Sequence, residues 1–529
     1  MSKQGYKTEV LANFAGGLNF RTDQFNLQPN ESPDLLNVDV DPRGGVKLRN
    51  GVTAINASAL AAEVEGLASF FTDGGTSQII ANHGTAVARS TGSNFTAITG
   101  QTARTNGSRM YGMTMNNVFY GVSGDKVSFK WDGSSASDLG TTLDGSAGNF
   151  PIGQYVTFWN NFAWVGKTYE GSTYYNSRLR WSNANQPEKW TNTDYVDIDV
   201  GERGDIITAL VPLADRLLIF KNNSVHAMYG FDSDSFQLTA LSRDVGSIAL
   251  SSPVSTPYGV FFWHDRAGVY LYDGQNFTNV FEKLRPAIDN GRISFTTPPQ
   301  LAWYENRLYL SLDMLEYYKA GTQVTKRHVM IFDPTMQSWT LTDIDATTMH
   351  VHAPPGGEPT LLGACQTTAN VGRVIKLEQS NPTDSYNASA TTRVESHFTT
   401  PWMSGKNPVV KKRWGRPQVV IDAASTLTMQ VEVYTDYDKA SSRKTVDINV
   451  AGRESSSVWD TATWAYDDES GDSNKGVWGA ESANKITDVV RVQSLGNAKS
   501  VALKINGPTE SSSWEINGIM FTYKPRRLR

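Results

Sequence analysis

Two histidines, His350 and His352, stand two positions apart in the segment TMHVH. On a β-strand, residues i and i+2 share a face, so both imidazoles could bind one metal ion. A zinc site needs three or four ligands, and the sequence shows no second ligand pair beside these two. A pair of surface histidines is therefore the favoured interpretation, and we expect no metal site here.

Carboxylates also cluster at two places in the chain. Glu31, Asp39 and Asp41 could suggest calcium, but the EF-hand spacing, with its glycine and terminal glutamate, is absent. Asp467, Asp468 and Glu469 form one polar run that nothing orients as an acid and a base. A glycosidase whose carboxylates come from separate repeats would leave no linear motif, so that alternative stays open.

Linear catalytic motifs are missing from this sequence. It contains no G-x-S-x-G elbow, H-E-x-x-H pair, P-loop or dinucleotide fingerprint in the required context. We therefore expect a protein that is not an enzyme and that has no cofactor. Cys365 is the only cysteine, which excludes an intrachain disulfide and fits assembly in a reducing cytosol.

The composition is typical of an all-β protein with many turns. The 529 residues include 45 glycines, 11% aromatic residues and only 19% charged residues. The formal net charge is −5, so no global basic field favours nucleic-acid binding. No signal-peptide core and no apolar run of membrane-spanning length occurs, so we expect no membrane span.

Residues 259–281 show the strand pattern that would position functional side chains in this protein. Two apolar and aromatic runs, Val260–Trp263 and Val269–Tyr272, are separated by a polar turn, and Asp273-Gly274 leads to a third run from Phe277. Short runs of this kind predict antiparallel strands of a meander.

This pattern recurs seven times, at residues 77–98, 118–133, 160–191, 215–230, 259–281, 306–344 and 360–378. A period of about fifty residues predicts a β-propeller of about seven blades over residues 55–404. Residues 167–177 and 315–327 are expected to be longer loops inserted into the pattern. Trp131, Trp190 and Trp339 are expected to fill the core between blades.

The two flanks of the chain differ from the repeats. Residues 1–54, rich in Gly, Pro, Asn and Asp, are expected to form an extended N-terminal strap. Strict alternation in Val431–Tyr434 and Ser500–Ile505 predicts half-buried antiparallel strands. We therefore expect residues 405–529 to form a separate β-sandwich or jelly-roll-like domain.

Two kinds of residue in the last domain could contact a partner subunit. Local basic clusters contain Lys411, Lys412 and Arg413, and, at the end of the chain, Arg526 and Arg527. They lack interleaved aromatic residues, so an acidic neighbouring subunit explains them at least as well as nucleic acid. Three tryptophans stand in the polar stretch 453–485, where they could anchor an interface or pack on the sandwich: Trp459, Trp464 and Trp478.

Three segments carry a resemblance to a known family. They are GGLNFRTDQFNLQPNESPDLLNVDVDPRGGVKLRNG near the start, R-x-R-W-S-x-x-x-x-P-x-x-W at residues 178–190, and INGIMFTY near the end. Together the chain resembles the tail nozzle, or tail hub, proteins of short-tailed bacteriophages. Arg178 and Trp181, in the second segment, are further interface candidates.

The resemblance implies a structural protein of the virion tail, assembled in the host cytoplasm. It implies a homohexameric ring below the portal and adaptor proteins, with the N-terminal strap contacting the adaptor and with fibres or spikes at the periphery. Double-stranded DNA would pass through the lumen without specific binding, which a mildly acidic chain permits. The family has no catalytic residues to transfer. The insertions 167–177, 315–327 and 453–485 would be natural sites for ring interfaces.

Two other functions remain alternatives. A receptor-binding or glycan-binding propeller would show a shallow aromatic pocket repeated from blade to blade, and the copies here diverge. A glycan-degrading tail enzyme would bring two or three carboxylates together in a central cleft.

Overall fold

The computed structural model describes residues 6–23, 26–200, 205–248, 253–295, 297–317, 323–367, 370–387, 390–450 and 486–526. Within these ranges, seven successive antiparallel sheets follow one another along the chain. The inner strand of each sheet contacts the inner strand of the next, and the seventh contacts the first. The predicted propeller of seven blades is confirmed.

The blades have the following strands. Blade 1 has Val64–Phe71, Ser77–His83, Ala86–Thr91 and Asn94–Ile98; blade 2 has Tyr111–Met115, Val118–Val122, Phe129–Trp131 and Ala136–Asp138; blade 3 has Ile152–Trp159, Phe162–Glu170, Thr173–Trp181 and Tyr195–Asp197. Blade 4 has Ile207–Pro212, Leu217–Lys221, Val225–Tyr229 and Gln237–Ser242; blade 5 has Val254–Thr256, Gly259–His264, Gly268–Tyr272 and Phe277–Asn279. Blade 6 has Gln300–Tyr304, Arg307–Tyr317, Gln323–Asp333 and Ser338–Thr342, with Ile293–Ser294 added; blade 7 has Thr348–His352, Thr360–Ala364, Val374–Gln379 and Gly51–Ala54, extended by Thr383–Asn387 and Ala390–Arg393.

An aspartate ends the third strand or follows it in three blades and fixes the turn to the fourth. Asp132, Asp273 and Asp333 each accept hydrogen bonds from the backbone N–H groups two and three residues further on, at 2.7 to 3.1 Å. A side chain that satisfies two N–H groups of its own turn favours a tight reversal there. The motif marks equivalent positions in blades 2, 5 and 6.

The ring is closed by a strand from the other end of the chain. Gly51–Ala54 pairs antiparallel with Val374–Gln379 and so becomes the fourth strand of blade 7, between Val374–Gln379 and Thr383–Asn387. Asp384 supports this strand, because its carboxylate accepts the N–H of Val52 at 3.2 Å. The same carboxylate binds both terminal nitrogens of buried Arg49, at 2.6 and 2.9 Å.

Two predicted loop insertions are wrong. Residues 167–177 belong mostly to the second and third strands of blade 3, which a two-residue turn joins. In blade 6, the corresponding strands continue for six residue pairs beyond the inner strand, from Leu312–His328 to Tyr317–Gln323. Alternating polar residues in long strands gave both segments the composition of a loop.

The C-terminal region is a sandwich of two sheets, as predicted. One sheet contains Ile486–Arg491, Gln418–Ala423, Trp514–Pro525, Lys412–Trp414, Gly496–Ala498, Lys7–Leu11, Val38–Val40 and Val46–Leu48; the other contains Leu35–Leu36, His397–Thr399, Val501–Asn506, Leu427–Thr435 and Lys444–Val450. The N-terminal segment, expected as a strap, therefore supplies strands to both sheets. Its Gly17–Leu18 and Glu31–Ser32 also pair, in parallel.

The sandwich and the propeller share one apolar core. Buried residues of both sandwich sheets form a continuous cluster with Leu11, Phe14 and Leu18 and with side chains of blades 5 and 6, among them Trp263 and Trp339. A short helix, Pro286–Asp289, follows blade 5 and packs into the same cluster. The predicted core tryptophans Trp131, Trp190 and Trp339 are all buried.

Candidate functional site

Arg178, an interface candidate from the sequence, lies on the third strand of blade 3 and binds residues of its own chain. Its guanidinium binds Asp197 at 2.7 Å and Glu170 at 3.1 Å. The rings of Tyr175 and Tyr195 cover it, with centroids 3.7 and 4.0 Å from its central carbon. Paired carboxylates and aromatic faces satisfy this cation internally.

Glu170 joins Arg178 to its neighbour Arg180. The Nε and Nη2 atoms of Arg180 donate to the two oxygens of this carboxylate at 2.6 and 2.7 Å. Burial alone would raise the pKa of Glu170, but the two arginines lower it below its ordinary value. The carboxylate is therefore held ionised as part of a closed ionic network.

Trp181 also packs against side chains of its own chain. Its ring lies 5.5 Å from that of Trp164 and 5.4 Å, edge to face, from Phe236 of blade 4. These geometries are typical of aromatic packing between neighbouring sheets.

The basic residues of the sandwich divide into buried and exposed ones. Lys412 is 1% exposed, and its Nζ donates to the carbonyls of Asn407, Val410 and Lys499 at 2.5, 2.8 and 3.0 Å. Burial lowers the pKa of this lysine. The neighbours Lys411 and Arg413 are exposed, because alternate strand residues face opposite sides.

We call the exposed cations of this strand pair the basic edge: Lys411, Arg413, Lys524 and Arg526. Arg413 lies directly opposite Lys524 in the antiparallel pairing, and the N–H of Arg526 donates to the carbonyl of Lys411 at 3.1 Å. Like charges directly opposite each other destabilise a sheet. Within the described ranges no carboxylate forms an ion pair with any of the four.

Exposed apolar residues lie further along the same sheet face, beyond the Thr8–Thr522 pair. Val10 pairs with Met520, which shares a face with Lys524 four residues further on, and the valine is 58% exposed. Val489, on an outer strand of this sheet, is 52% exposed.

A surface of opposite character lies on blade 4. We call residues 231–235, between its third and fourth strands, the acidic turn. Phe231 is 84% exposed, the largest fraction among the exposed large apolar side chains of the described chain, and the exposed Asp232 and Asp234 follow it in the turn. The carboxylate of Asp232 accepts the N–H of Ser235 at 2.9 Å, which holds the turn in shape.

Four predicted interface residues lie outside the described residues. They are Trp459, Trp464, Trp478 and Arg527.

The histidine pair occupies the contact between blades 7 and 1. Nε2 of His350 and Nδ1 of His352 lie 2.7 and 2.8 Å from the hydroxyl of Ser69, and Nε2 of His352 lies 2.9 Å from that of Ser77. Burial lowers the pKa of His350 to about 4, so its imidazole is neutral near pH 7. The pair links two blades through hydrogen bonds, and both imidazoles remain partly exposed.

The N-terminal carboxylates likewise bind protein cations. Asp39 accepts Arg307 at 2.9 Å, Asp41 accepts Arg43 at 3.0 Å, and Glu31 lies 3.2 Å from Lys283. No group of three or more potential metal ligands is found among the described residues.

The centre of the ring contains a cavity of about 490 Å³. Inner strands of six blades line it, and its lining in the described chain includes Arg109, His350 and Tyr111 but no carboxylate. A volume of this size suits a small molecule and not a double helix. Converging carboxylates, which a glycan hydrolase would need, are not found along its described lining.

No family model and no curated protein matches this chain. Among solved structures, it is similar to YCF48 bound to D1 peptide, with 11% identity and a TM-score of 0.36 over 65% of this chain and 97% of that one. It is also similar to the Neurospora crassa Pan2 WD40 domain, with 8% identity and a TM-score of 0.33 over 63% and 95% of the two chains. YjhT matches at 9% identity and a TM-score of 0.33 over 54% and 99%. At these scores the likeness carries no inference about function.

The described residues include no helix of the length and hydropathy that a transmembrane segment requires.

Proposed function

We propose that this protein is a structural subunit of a closed ring, a tail nozzle or hub of the kind its sequence resembles. The ring would sit below portal and adaptor proteins, carry fibres or spikes, and let DNA pass between its subunits. The cavity inside one propeller is too small for a duplex, so the lumen would have to lie at the ring axis. Hexameric symmetry follows from the resemblance alone.

One observation carries the proposal: the chain presents two surfaces of complementary charge at different places. The basic edge lies on the sandwich, with Val10 further along the same sheet face, and the acidic turn, which begins with exposed Phe231, lies on blade 4. A cyclic ring of identical subunits needs a heterologous interface, in which one patch meets a different patch of the next copy. An exposed aromatic residue next to carboxylates suits a surface that has both apolar residues and cations.

The same interface would account for the opposed cations of the basic edge. Opposed Arg413 and Lys524 repel each other in an isolated subunit. Carboxylates of a second copy would neutralise them, so the repulsion would be relieved only in the assembly.

A charge exchange tests this interface. The protein is mixed with a portal–adaptor complex, and its assembly state is measured by native mass spectrometry. Arg413→Glu combined with Lys524→Glu should abolish ring formation, and so should Asp232→Lys combined with Asp234→Lys. The four changes together should restore it, because each patch again meets opposite charge.

Arg266→Glu serves as the control, since this arginine is highly exposed on a turn of blade 5 and belongs to neither surface. Rings that form normally with either double variant would contradict the proposed contact. Rings lost in both and not regained in the combined variant would also contradict it.

A further inference from the structure

A cleft lies where the propeller, the N-terminal segment and the sandwich meet. It consists of two adjoining cavities of about 220 and 270 Å³, and Pro33 and Lys439 line both. The first lies against the sandwich, beside Trp402 and Tyr434. The second lies against the helix after blade 5, beside Arg292. We call this site the boundary cleft. Contacts between domains are common positions for ligand sites.

The boundary cleft is positive although the whole chain is negative. Its described lining holds three cations, Arg292, Lys439 and Lys504, and one carboxylate, Asp34. Asp34 is already matched, since it lies 3.0 Å from His397 and 3.4 Å from Lys504. No ion pair within the described ranges neutralises Arg292 or Lys439. The cleft therefore favours an anionic ligand, against a net charge of −5 for the chain.

The Nε atom of Arg292 is buried without a hydrogen-bond acceptor. The guanidinium rests on the ring of Phe20, with the central carbon 4.8 Å from the ring centroid. A buried charged donor without an acceptor costs stability, and a carboxylate bound by the guanidinium fork would remove that cost.

The other half of the cleft offers aromatic faces. The ring of Trp402 packs 5.1 Å from that of Tyr437, and the hydroxyl of Tyr434 donates to Glu432 at 2.6 Å. Both lining rings are thereby held in place while remaining partly exposed. Fixed aromatic faces beside polar groups suit a compact ligand body with one apolar face.

We propose that the boundary cleft binds an acidic saccharide, one whose pyranose ring carries a carboxylate. The sugar ring would lie against Trp402 and Tyr434, and its carboxylate would reach Arg292 and Lys439. Two adjoining cavities joined at Lys439 provide room for a ligand with a neutral part and a charged part. This site does not depend on ring assembly, so either proposal can fail while the other stands.

A matched pair of ligands tests the chemistry. Trigalacturonate and its fully methyl-esterified form have the same sugar skeleton and differ in charge. Binding to the full chain is measured by titration calorimetry, with inorganic phosphate as a third probe. The acid should bind at least about tenfold more tightly than the ester, since a charge-assisted bidentate contact contributes about 1.5–3 kcal/mol. Equal affinity for acid and ester, or phosphate binding as tight as the acid, would overturn the assignment.

Matched variants locate the site. Arg292→Gln and Lys439→Gln should each weaken trigalacturonate binding about tenfold or more. Arg266→Gln removes an equal charge from the exposed turn of blade 5 and should leave affinity unchanged. Asn290→Asp provides a second line, because this exposed lining residue can change without loss of folding, and the added carboxylate should repel the ligand. Unchanged affinity in Asn290→Asp and Lys439→Gln would overturn the proposal.

Discussion

The arginines of blade 3 and Arg413 of the basic edge both stand near a tryptophan in the sequence, but their charges are met differently in the structure. Arg178 lies between two tyrosine rings and binds two carboxylates of its own subunit. Arg413 is exposed, faces Lys524, and has no ion pair within the described ranges. The difference teaches that a basic residue in an aromatic motif can be purely structural. Cations whose charge is not met inside the subunit are the better interface candidates.

The buried arginines should matter most for stability. Asp384→Ala would leave Arg49 buried without its main counterion and would remove an acceptor from the ring-closing strand. We expect a loss of about 3–5 kcal/mol in the free energy of unfolding, measured by denaturant titration. Asp343→Ala is the matched control, because Asp343 is more exposed and lies 3.4 Å from the same guanidinium. Equal losses in the two variants would show that Asp384 stabilises the fold no more than Asp343 does.

Arg178→Ala should have the next largest effect. It removes the hydrogen bonds to Asp197 and Glu170 and the packing between two tyrosine rings. We expect a loss of about 2 kcal/mol in the free energy of unfolding, with no change in assembly. A stable variant that fails to form rings would instead indicate that Arg178 contributes to the interface between copies.

The hydrogen-bonded histidines predict a pH dependence of stability. His350 has a folded-state pKa of about 4, below its ordinary value, so the unfolded chain binds the proton more readily. Its contribution is complete above pH 6.5 and is lost as pH falls through about 4. The thermal midpoint of the wild type should therefore fall more between pH 7 and 4.5 than that of His350→Gln.

A nearby carboxylate acts in the opposite direction. Burial raises the pKa of Glu65 to about 7, so its contribution is lost as pH rises through that value. The glutamine variant leaves Glu65 in place, so the difference between the two curves isolates the histidine. Parallel curves would show that His350 is not protected from protonation.

Arg413→Ala should have the smallest effect on the isolated subunit. It removes a cation that opposes Lys524 and that has no carboxylate partner in the described chain. We expect the free energy of unfolding to change by less than about 0.5 kcal/mol, in either direction. A large loss would mean that the basic edge is structural, like Arg178.

The sequence predicted the middle of each blade better than its borders. Second and third strands such as Gly259–His264 and Gly268–Tyr272 are continuous apolar runs, which the sequence pattern predicted. Polar residues in the long second and third strands of blades 3 and 6 instead predicted loops. In inner strands such as Val64–Phe71, buried residues alternate with more exposed ones. The polar residues at the exposed positions hid the strand pattern in the sequence. The closing strand Gly51–Ala54 is four residues long and pairs with residues more than three hundred positions away, which no local pattern records.

The candidate sites show the same limit. The exposed residues of the basic edge follow from strand alternation. Lys411, Arg413 and Arg526 were named from the sequence, but the pairing of Arg413 with Lys524 is seen only in the structure. The boundary cleft is built from distant segments of the chain, among them those around Phe20, Arg292, Trp402 and Lys439, and leaves no linear motif. The Asx turns at Asp132, Asp273 and Asp333 could have aligned the blades, because their position is equivalent in each.

The measurement that tests the central claim most directly is the mass of the purified protein by light scattering, alone and mixed with a portal–adaptor complex. A ring subunit predicts a six-fold assembly, formed alone or on addition of the complex, that is lost in Arg413→Glu with Lys524→Glu. A protein that remains a monomer under both conditions would contradict the ring and leave the boundary cleft as its functional surface.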